Sequence, residues 1–271
     1  DAEDTKVVFG TGGETISGNL WICSLSDILR EDLSSSQKLD SSVSKGYIGP
    51  PAAVDINLDG TLDVITNSVD GRLMAFDGIS MELIWQLEVP ETESYSSVTI
   101  GNFDDDVYPD AFISNGRGVW PDLGWGIQKL VSGKNGEVLF TDSLGFYQIT
   151  TALAYDINND GQDEVIMSLN YQEVSEIYEK FFYTVVIAID FKTGDFELIS
   201  PIFEGSNMSS TPWIGDLDAD GFLDIIFCHG TNLRHTYTFD QIKIHRIPTN
   251  VKITKPVRWG AYQGSNYNGS Y

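Results

Sequence analysis

Asp55-Ile56-Asn57-Leu58-Asp59-Gly60-Thr61-Leu62-Asp63 sets a pattern that the chain repeats three more times. The repeats are Asn102-Phe103-Asp104-Asp105-Asp106-Val107-Tyr108-Pro109-Asp110, Asp156-Ile157-Asn158-Asn159-Asp160-Gly161-Gln162-Asp163-Glu164 and Asp216-Leu217-Asp218-Ala219-Asp220-Gly221-Phe222-Leu223-Asp224. Each puts Asp or Asn at positions 1, 3 and 5 and Asp or Glu at position 9. Side-chain oxygens two residues apart on a tightly turning backbone can converge on one point, which suits a hard cation that takes about six to eight oxygen ligands. Calcium is the expected ion, at up to four sites.

The candidate metal residues are positions 1, 3, 5, 7 and 9 of each loop. They are Asp55, Asn57, Asp59, Thr61 and Asp63; Asn102, Asp104, Asp106, Tyr108 and Asp110; Asp156, Asn158, Asp160, Gln162 and Glu164; and Asp216, Asp218, Asp220, Phe222 and Asp224. An EF-hand would need a bidentate Glu at position 12 and flanking helices. Position 12 is instead Thr66, Ile113, Met167 and Phe227, and each loop runs into strand formers such as Val64-Ile65 and Val165-Ile166-Met167. Asp, Asn and Gly also make good turns without any metal, but four loops with one ligand spacing favour the ion.

The loops begin at 55, 102, 156 and 216, in steps of 47, 54 and 60 residues, the size of a four-stranded propeller blade with variable connections. In the first complete unit, 51–54 leads into the acidic loop, 62–66 leaves it, Gly71 turns, and Arg72-Leu73-Met74-Ala75-Phe76 and Glu82-Leu83-Ile84-Trp85-Gln86-Leu87 follow as further strands. The expected fold is all-β, a β-propeller of four-stranded blades forming one domain over 1–271. A partial blade spans 1–46 and complete blades about 47–93, 94–144, 145–205 and 206–247, with a closing tail over 248–271. Lys6-Val7-Val8-Phe9-Gly10 and Gly18-Asn19-Leu20-Trp21-Ile22-Cys23 look like later strands of a blade whose acidic loop is degraded at Asp1-Ala2-Glu3-Asp4. A small closed ring and a piece of a larger one are both open, the larger being preferred.

The 271 residues carry a net charge of −24. Fifteen of the 40 acidic residues lie in the four loops, leaving 16 basic against 25 acidic elsewhere, a balance of −9. Such a surface disfavours nucleic acid and anionic membranes, which bind through phosphate neutralisation. No apolar run reaches the roughly 18 residues of a transmembrane helix. The chain starts at Asp1 without a signal-like stretch, so a mature product or an excised piece is expected. Cys23 and Cys228 match no metal or redox spacing, and either free thiols or a disulfide fit.

The acidic loops resemble FG-GAP or VCBS-type repeats, the calcium-binding blade units of integrin α-subunit propellers and of many secreted bacterial proteins. A second resemblance overlaps it. Leu73-Met74-Ala75-Phe76-Asp77-Gly78 followed by Glu82-Leu83-Ile84-Trp85 looks like the docking motif of quinoprotein-like (PQQ-like) propellers, as do 130–136 and 187–194. In that family the Trp packs between blades, and Trp85 alone matches it. The resemblance implies a calcium-stabilised propeller that is secreted or held at the cell surface or envelope. Loop 2 departs from the pattern, with Asn102 at position 1 and Val107 where Gly is usual, so it should be the weakest site.

Beyond calcium, Trp120 and Trp125 stand among glycines in the 115–126 insertion. They either form a platform for a sugar ring or partner side chain or pack down on the next blade. A second insertion, Tyr171 to Phe182, reads as a short helix or a solvated edge, and the aromatic tail 259–271 as a staple or a cover for a blade edge. His229, His235 and His245 make no compelling acid and nucleophile arrangement. The expectation is therefore a non-enzymatic binding or adhesion module that contacts a protein or carbohydrate through its loops. The alternative is a calcium-dependent polysaccharide lyase or quinoprotein-like enzyme, and a third reading is a component of a secretion or envelope assembly.

Overall fold

Short strands rich in Val, Ile, Leu and Phe, punctuated by Gly and Asp, pair here with their sequence neighbours, as such patterns do when turns are brief. A computed structural model describes residues 5–146 and 149–271, and the expected degraded loop at 1–4 lies outside them. The first sheet holds β1 (Lys6–Gly10), β2 (Gly18–Ser24) and β3 (Gln37–Ser42), with α1 (Leu25–Leu29) between the last two. That helix was not expected. Ser24 caps it by accepting the Asp27 amide at 3.1 Å.

Three four-stranded blades follow, antiparallel throughout. The first is β4 (Ala52–Val54), β5 (Asp63–Asn67), β6 (Arg72–Phe76) and β7 (Leu83–Glu88). After the short β8 (Thr92–Glu93), the second is β9 (Thr99–Gly101), β10 (Asp110–Arg117), β11 (Trp125–Val131) and β12 (Val138–Phe146). The third is β13 (Leu153–Tyr155), β14 (Glu164–Val174), β15 (Lys180–Asp190) and β16 (Asp195–Leu198), with β17 (Phe203–Glu204) also on β15. The last sheet is β18 (Trp213–Gly215), β19 (Phe222–Gly230) and β20 (Ile242–Lys252). It has three strands where the repeat has four, because the chain after β20 turns inward instead of back along it. The protein is an all-β propeller. Each acidic loop joins the short inner strand of a sheet to the strand beside it.

The core lies between blades, as it must when each sheet is covered on both faces. Ile65, Leu73 and Ala75 of the first blade, Val98, Ile100 and Phe112 of the second and Val165, Met167 and Ile187 of the third share one buried cluster. Ile166, Val186 and Ala188 pack against Ile214, Ile225 and Phe227 of the last sheet. Leu20 and Tyr47 pack on Val64, Met74 and Phe76.

The tail binds the inner strands together. Ala154 donates its amide to the Trp259 carbonyl at 3.0 Å, Ile214 to Gly260 at 2.8 Å and Ala53 to Gly269 at 2.7 Å, while the Tyr271 amide donates back to Ala53 at 3.0 Å. Trp259 is 1% exposed among blades one to three. Of the two expectations for the tail, the staple describes what it does.

Residues 171–182 form neither a helix nor a simple edge. β14 and β15 continue in register to Val174 opposite Lys180, a hairpin far longer than its counterparts, with Tyr171 stacked on Tyr183 at 5.2 Å. Cross-strand aromatic pairing favours that extension over a helix. Both cysteines are free thiols. Among the described residues, no helix is long and apolar enough to cross a membrane.

Candidate metal centres

Position 9 organises every acidic loop. It is the first or an early residue of the strand that leaves the loop, which carries it into the sheet: Asp63 and Asp110 are fully buried, and Glu164 and Asp224 are 2% exposed. One oxygen of each accepts the amide of position 2, from Ile56 at 3.0 Å, Phe103 at 3.2 Å, Ile157 at 2.6 Å and Leu217 at 3.1 Å. That bond draws the loop closed over its last carboxylate. In loops 1 to 3 the apolar residue at position 2 packs into or against the core while its amide turns to the acid, whereas Leu217 of loop 4 is exposed.

Positions 1 and 5 shape the rest. In loops 1, 3 and 4 the position 1 carboxylate accepts two amides, those of Asp59 and Gly60, Asp160 and Gly161, and Asp220 and Gly221, all at 2.9 to 3.1 Å. Position 5 in turn accepts the amide of position 7 in all four loops, from Thr61, Tyr108, Gln162 and Phe222. The turn needs left-handed backbone at positions 4 and 6, and it has it at Leu58, Asn159 and Ala219 (φ 61 to 62°) and at Gly60, Gly161 and Gly221 (φ 85 to 100°). Glycine meets the second requirement without steric cost.

Loop 2 takes another path. Neither Asp105 nor Val107 is left-handed, and at Val107 a β-branched side chain disfavours that conformation. Among the described bonds Asn102 accepts no loop amide; its own amide donates to Asp163 Oδ2 of loop 3 at 2.9 Å. The structure thus agrees with the departure read from Asn102 and Val107.

Loops 1 to 3 are also tied to the hairpin turns of their own blades. Gly78 donates to Asp63 Oδ1 at 2.7 Å and Gly133 to Asp110 Oδ1 at 3.3 Å. Asn57 Nδ2 reaches Asp77 at 3.2 Å, and Asn158 Nδ2 reaches Asp190 at 3.3 Å. Asp77 and Asp190 cap their turns, each accepting two amides. This explains why the acidic loop and the Asp-containing turn recur together in the sequence.

Two trios of carboxylates bring ligand oxygens within 4.8 Å of one another: Asp156, Asp160 and Glu164 in loop 3, and Asp216, Asp218 and Asp224 in loop 4. Loops 1 and 2 form no such trio among the described residues. Burial, with the charges of Asp156 and Asp190 added, pushes Glu164 up to about 7, and burial with the charge of Asp104 does the same to Asp110. Carboxylates gathered at this cost want a cation, and an all-oxygen donor set fits a hard one. In loop 4, by contrast, the Arg246 guanidinium holds Asp224 below the usual carboxylate range.

Several functional contacts escaped the sequence. Asp163 stands at position 8, where the other loops carry Leu62, Pro109 and Leu223, and it accepts Lys255 Nζ at 2.8 Å, with Asp156 3.5 Å from the same ammonium. The odd acid at an otherwise apolar position was a readable signal. His229 and His245 bring their Nε2 atoms to 3.1 Å and stack with Phe203, a diagonal pair that only the β19 to β20 register reveals. At the end of the blades opposite the acidic loops, Trp120 sets its edge on Tyr237 at 5.2 Å, and its amide donates to the buried Glu93, which pairs with Lys45 at 2.5 Å. Trp120, 36% exposed, thus meets the connection between β19 and β20 of the last sheet and not the blade next to its own, while Trp125 is 55% exposed.

No family model matches the chain, and no curated protein matches it. Among solved structures it is similar to the Bacillus licheniformis rhamnogalacturonan lyase PL11, at 12% identity and a TM-score of 0.44, over 79% of this chain and 48% of that one. It is similar to BamB from Moraxella catarrhalis at 13% identity and a TM-score of 0.39, over 93% and 63%. It is also similar to the WD40 domain of Toxoplasma gondii coronin at 12% and 0.40, over 91% and 57%. The chain spans about half the length of the rhamnogalacturonan lyases it matches. The expectation of a non-enzymatic protein is corrected here. Enzymes stand among the similar structures, and a scarcity of His, Lys and Arg constellations in a sequence is no ground for excluding catalysis on a fold that hosts many functions. At these identities the likeness concerns the fold and assigns no activity.

Proposed function

We propose that the chain is a calcium-stabilised propeller module, working outside the cell or at its surface, that binds a protein or a carbohydrate through its loops. The observation that carries the reading is the fourfold recurrence of one oxygen spacing with position 9 buried each time. Asp156, Asp160 and Glu164 would hold an ion in loop 3, and Asp55, Asn57, Asp59 and Asp63 one in loop 1. Loop 2 would bind more weakly through Asp104, Asp106 and Asp110.

Calcium would supply charge neutralisation and would tie each inner strand to its neighbour. Exposed loops of this kind suit the roughly 10⁻⁴ to 10⁻³ M affinities of extracellular modules, where calcium is abundant. For the partner, the exposed indole of Trp125 and the packed Trp120 offer aromatic area at the other end of the blades. The test is thermal unfolding of the chain with calcium and with chelator. A midpoint that rises with calcium is expected, and an unchanged midpoint would remove the stabilising role.

A further inference from the structure

Loop 4 differs from the other loops in what meets its carboxylates. In blades one and two a backbone amide of the hairpin turn, from Gly78 or Gly133, donates to the second oxygen of position 9. In the last blade the residue in register with Asp224 is Pro248, so the counterpart of Gly78 and Gly133 is Thr249, which turns its hydroxyl to the Leu223 carbonyl at 2.6 Å, and among the described residues no turn amide reaches Asp224. Arg246 fills the gap. Its Nε donates to Asp224 Oδ1 at 2.7 Å, and its Nη2 to Asp224 Oδ2 at 3.0 Å and to Asp218 Oδ2 at 2.5 Å.

Three substitutions, read against the chain's own repeats, agree with this arrangement. Arg246 occupies the register position held by Ala75, Leu130 and Ala188, all buried against the following blade; on the last sheet that face is open enough for a long side chain. Pro248 stands where Asp77 and Asp190 cap their turns. Position 3 is Asp218, an acceptor for the guanidinium, where loops 1 and 3 carry Asn57 and Asn158 donating to those same turn carboxylates. Donor and acceptor have exchanged sides.

We infer that Arg246 is the resident cation of loop 4. The guanidinium pairs with two of the three carboxylates that converge there, offsetting one of their charges, and takes both oxygens of Asp224, a planar fork-to-fork match for which arginine is suited. Loop 4 is thereby closed without a divalent ion, and the chain takes at most three calcium ions, in loops 1 to 3. The inference rests on the calcium reading of those loops.

Calorimetric titration of the chelator-stripped chain with calcium counts the ions. Asp220 holds position 5 of loop 4, the counterpart of Asp160 in loop 3, and makes no bond to Arg246. Asp220→Asn is expected to leave the number bound by the native chain unchanged. Arg246→Met should add one ion, and the double variant Arg246→Met with Asp220→Asn should lose that gain. Asp160→Asn in loop 3 should remove one ion and serves as the reference. Loss of an ion on Asp220→Asn, or no gain on Arg246→Met while Asp160→Asn still loses one, would overturn the inference. If no variant, nor the native chain, takes calcium at all, the calcium reading falls first and the inference with it. Because Asp220→Asn leaves Arg246 paired with Asp218 and Asp224, that arm decides the matter even if Arg246→Met does not fold.

Discussion

The indole Nε1 of Trp85 donates to the carbonyl oxygen of Gly133 at 2.7 Å, a hydrogen bond from the outermost strand of one blade into the hairpin turn of the next. The ring is 7% exposed and lies on Gly136, whose φ of +74° and lack of Cβ let it approach. A Cβ there would come within 2.9 Å of the indole. This one side chain supplies both apolar area and a directional bond to the interface between blades.

Trp85→Ala should therefore destabilise the protein by about 3 to 5 kcal/mol, the range for deleting a large buried aromatic. Trp85→Phe keeps most of the area and strands the Gly133 carbonyl, a loss of about 1 kcal/mol. Urea unfolding of the two variants, compared at equal slope, measures both.

The tail is expected to govern the innermost strands. Deleting residues 259–271 removes the acceptors of the Ala53, Ala154 and Ile214 amides. Hydrogen exchange at those three positions should accelerate by about tenfold or more, equivalent to about 1.4 kcal/mol of lost local protection. Exchange in β7, the outermost strand of the first blade, should change less than at those three inner-strand positions.

Acid should weaken the last sheet through its histidines. Burial lowers the proton affinity of His229, with the charge of His245 and of Lys243 adding to it, and burial with Lys243 lowers that of His245. The folded protein keeps both rings neutral, so this contribution is fully present above the ordinary value of 6.5. It is lost as the pH falls below 6.5 and the unfolded chain takes up protons that the folded one refuses. Denaturation measured from pH 7.5 to 5 should show a stability decline that His229→Phe flattens.

How much of this was legible depended on whether a feature was local. The acidic loops each lie within one repeat and were readable from spacing, while the Asp77 and Asp190 turns and the interblade role of Trp85 were expected from the resemblance to quinoprotein-like propellers. Features that need register between strands were not. Arg246 meets Asp224 across β19 and β20, and His229 meets His245 on the diagonal of the same pair. The 164–190 hairpin was obscured because Glu173, Glu176 and Glu179 suggested a helix, while the pairing of Tyr171 with Tyr183 depends on a partner twelve residues away. The reading that left out catalysis failed for a different reason, since it treated residue counts as if they described a site.

Loop 2 offers a graded test of the loop geometry. Val107→Gly restores the residue that lets position 6 turn left-handed, as Gly60, Gly161 and Gly221 do. Calcium binding at loop 2 should strengthen, whereas Asp106→Ala should cost less of the total binding than Asp160→Ala. Titration of the three variants against the native chain orders them.

The most direct test of the central claim is a crystal structure grown in millimolar calcium, with anomalous scattering used to locate the ion. A peak among Asp156, Asp160 and Glu164, with oxygens at about 2.3 to 2.6 Å, is the expected result. A loop 3 that keeps its amide-to-carboxylate turns around water alone, with no anomalous peak, would contradict it.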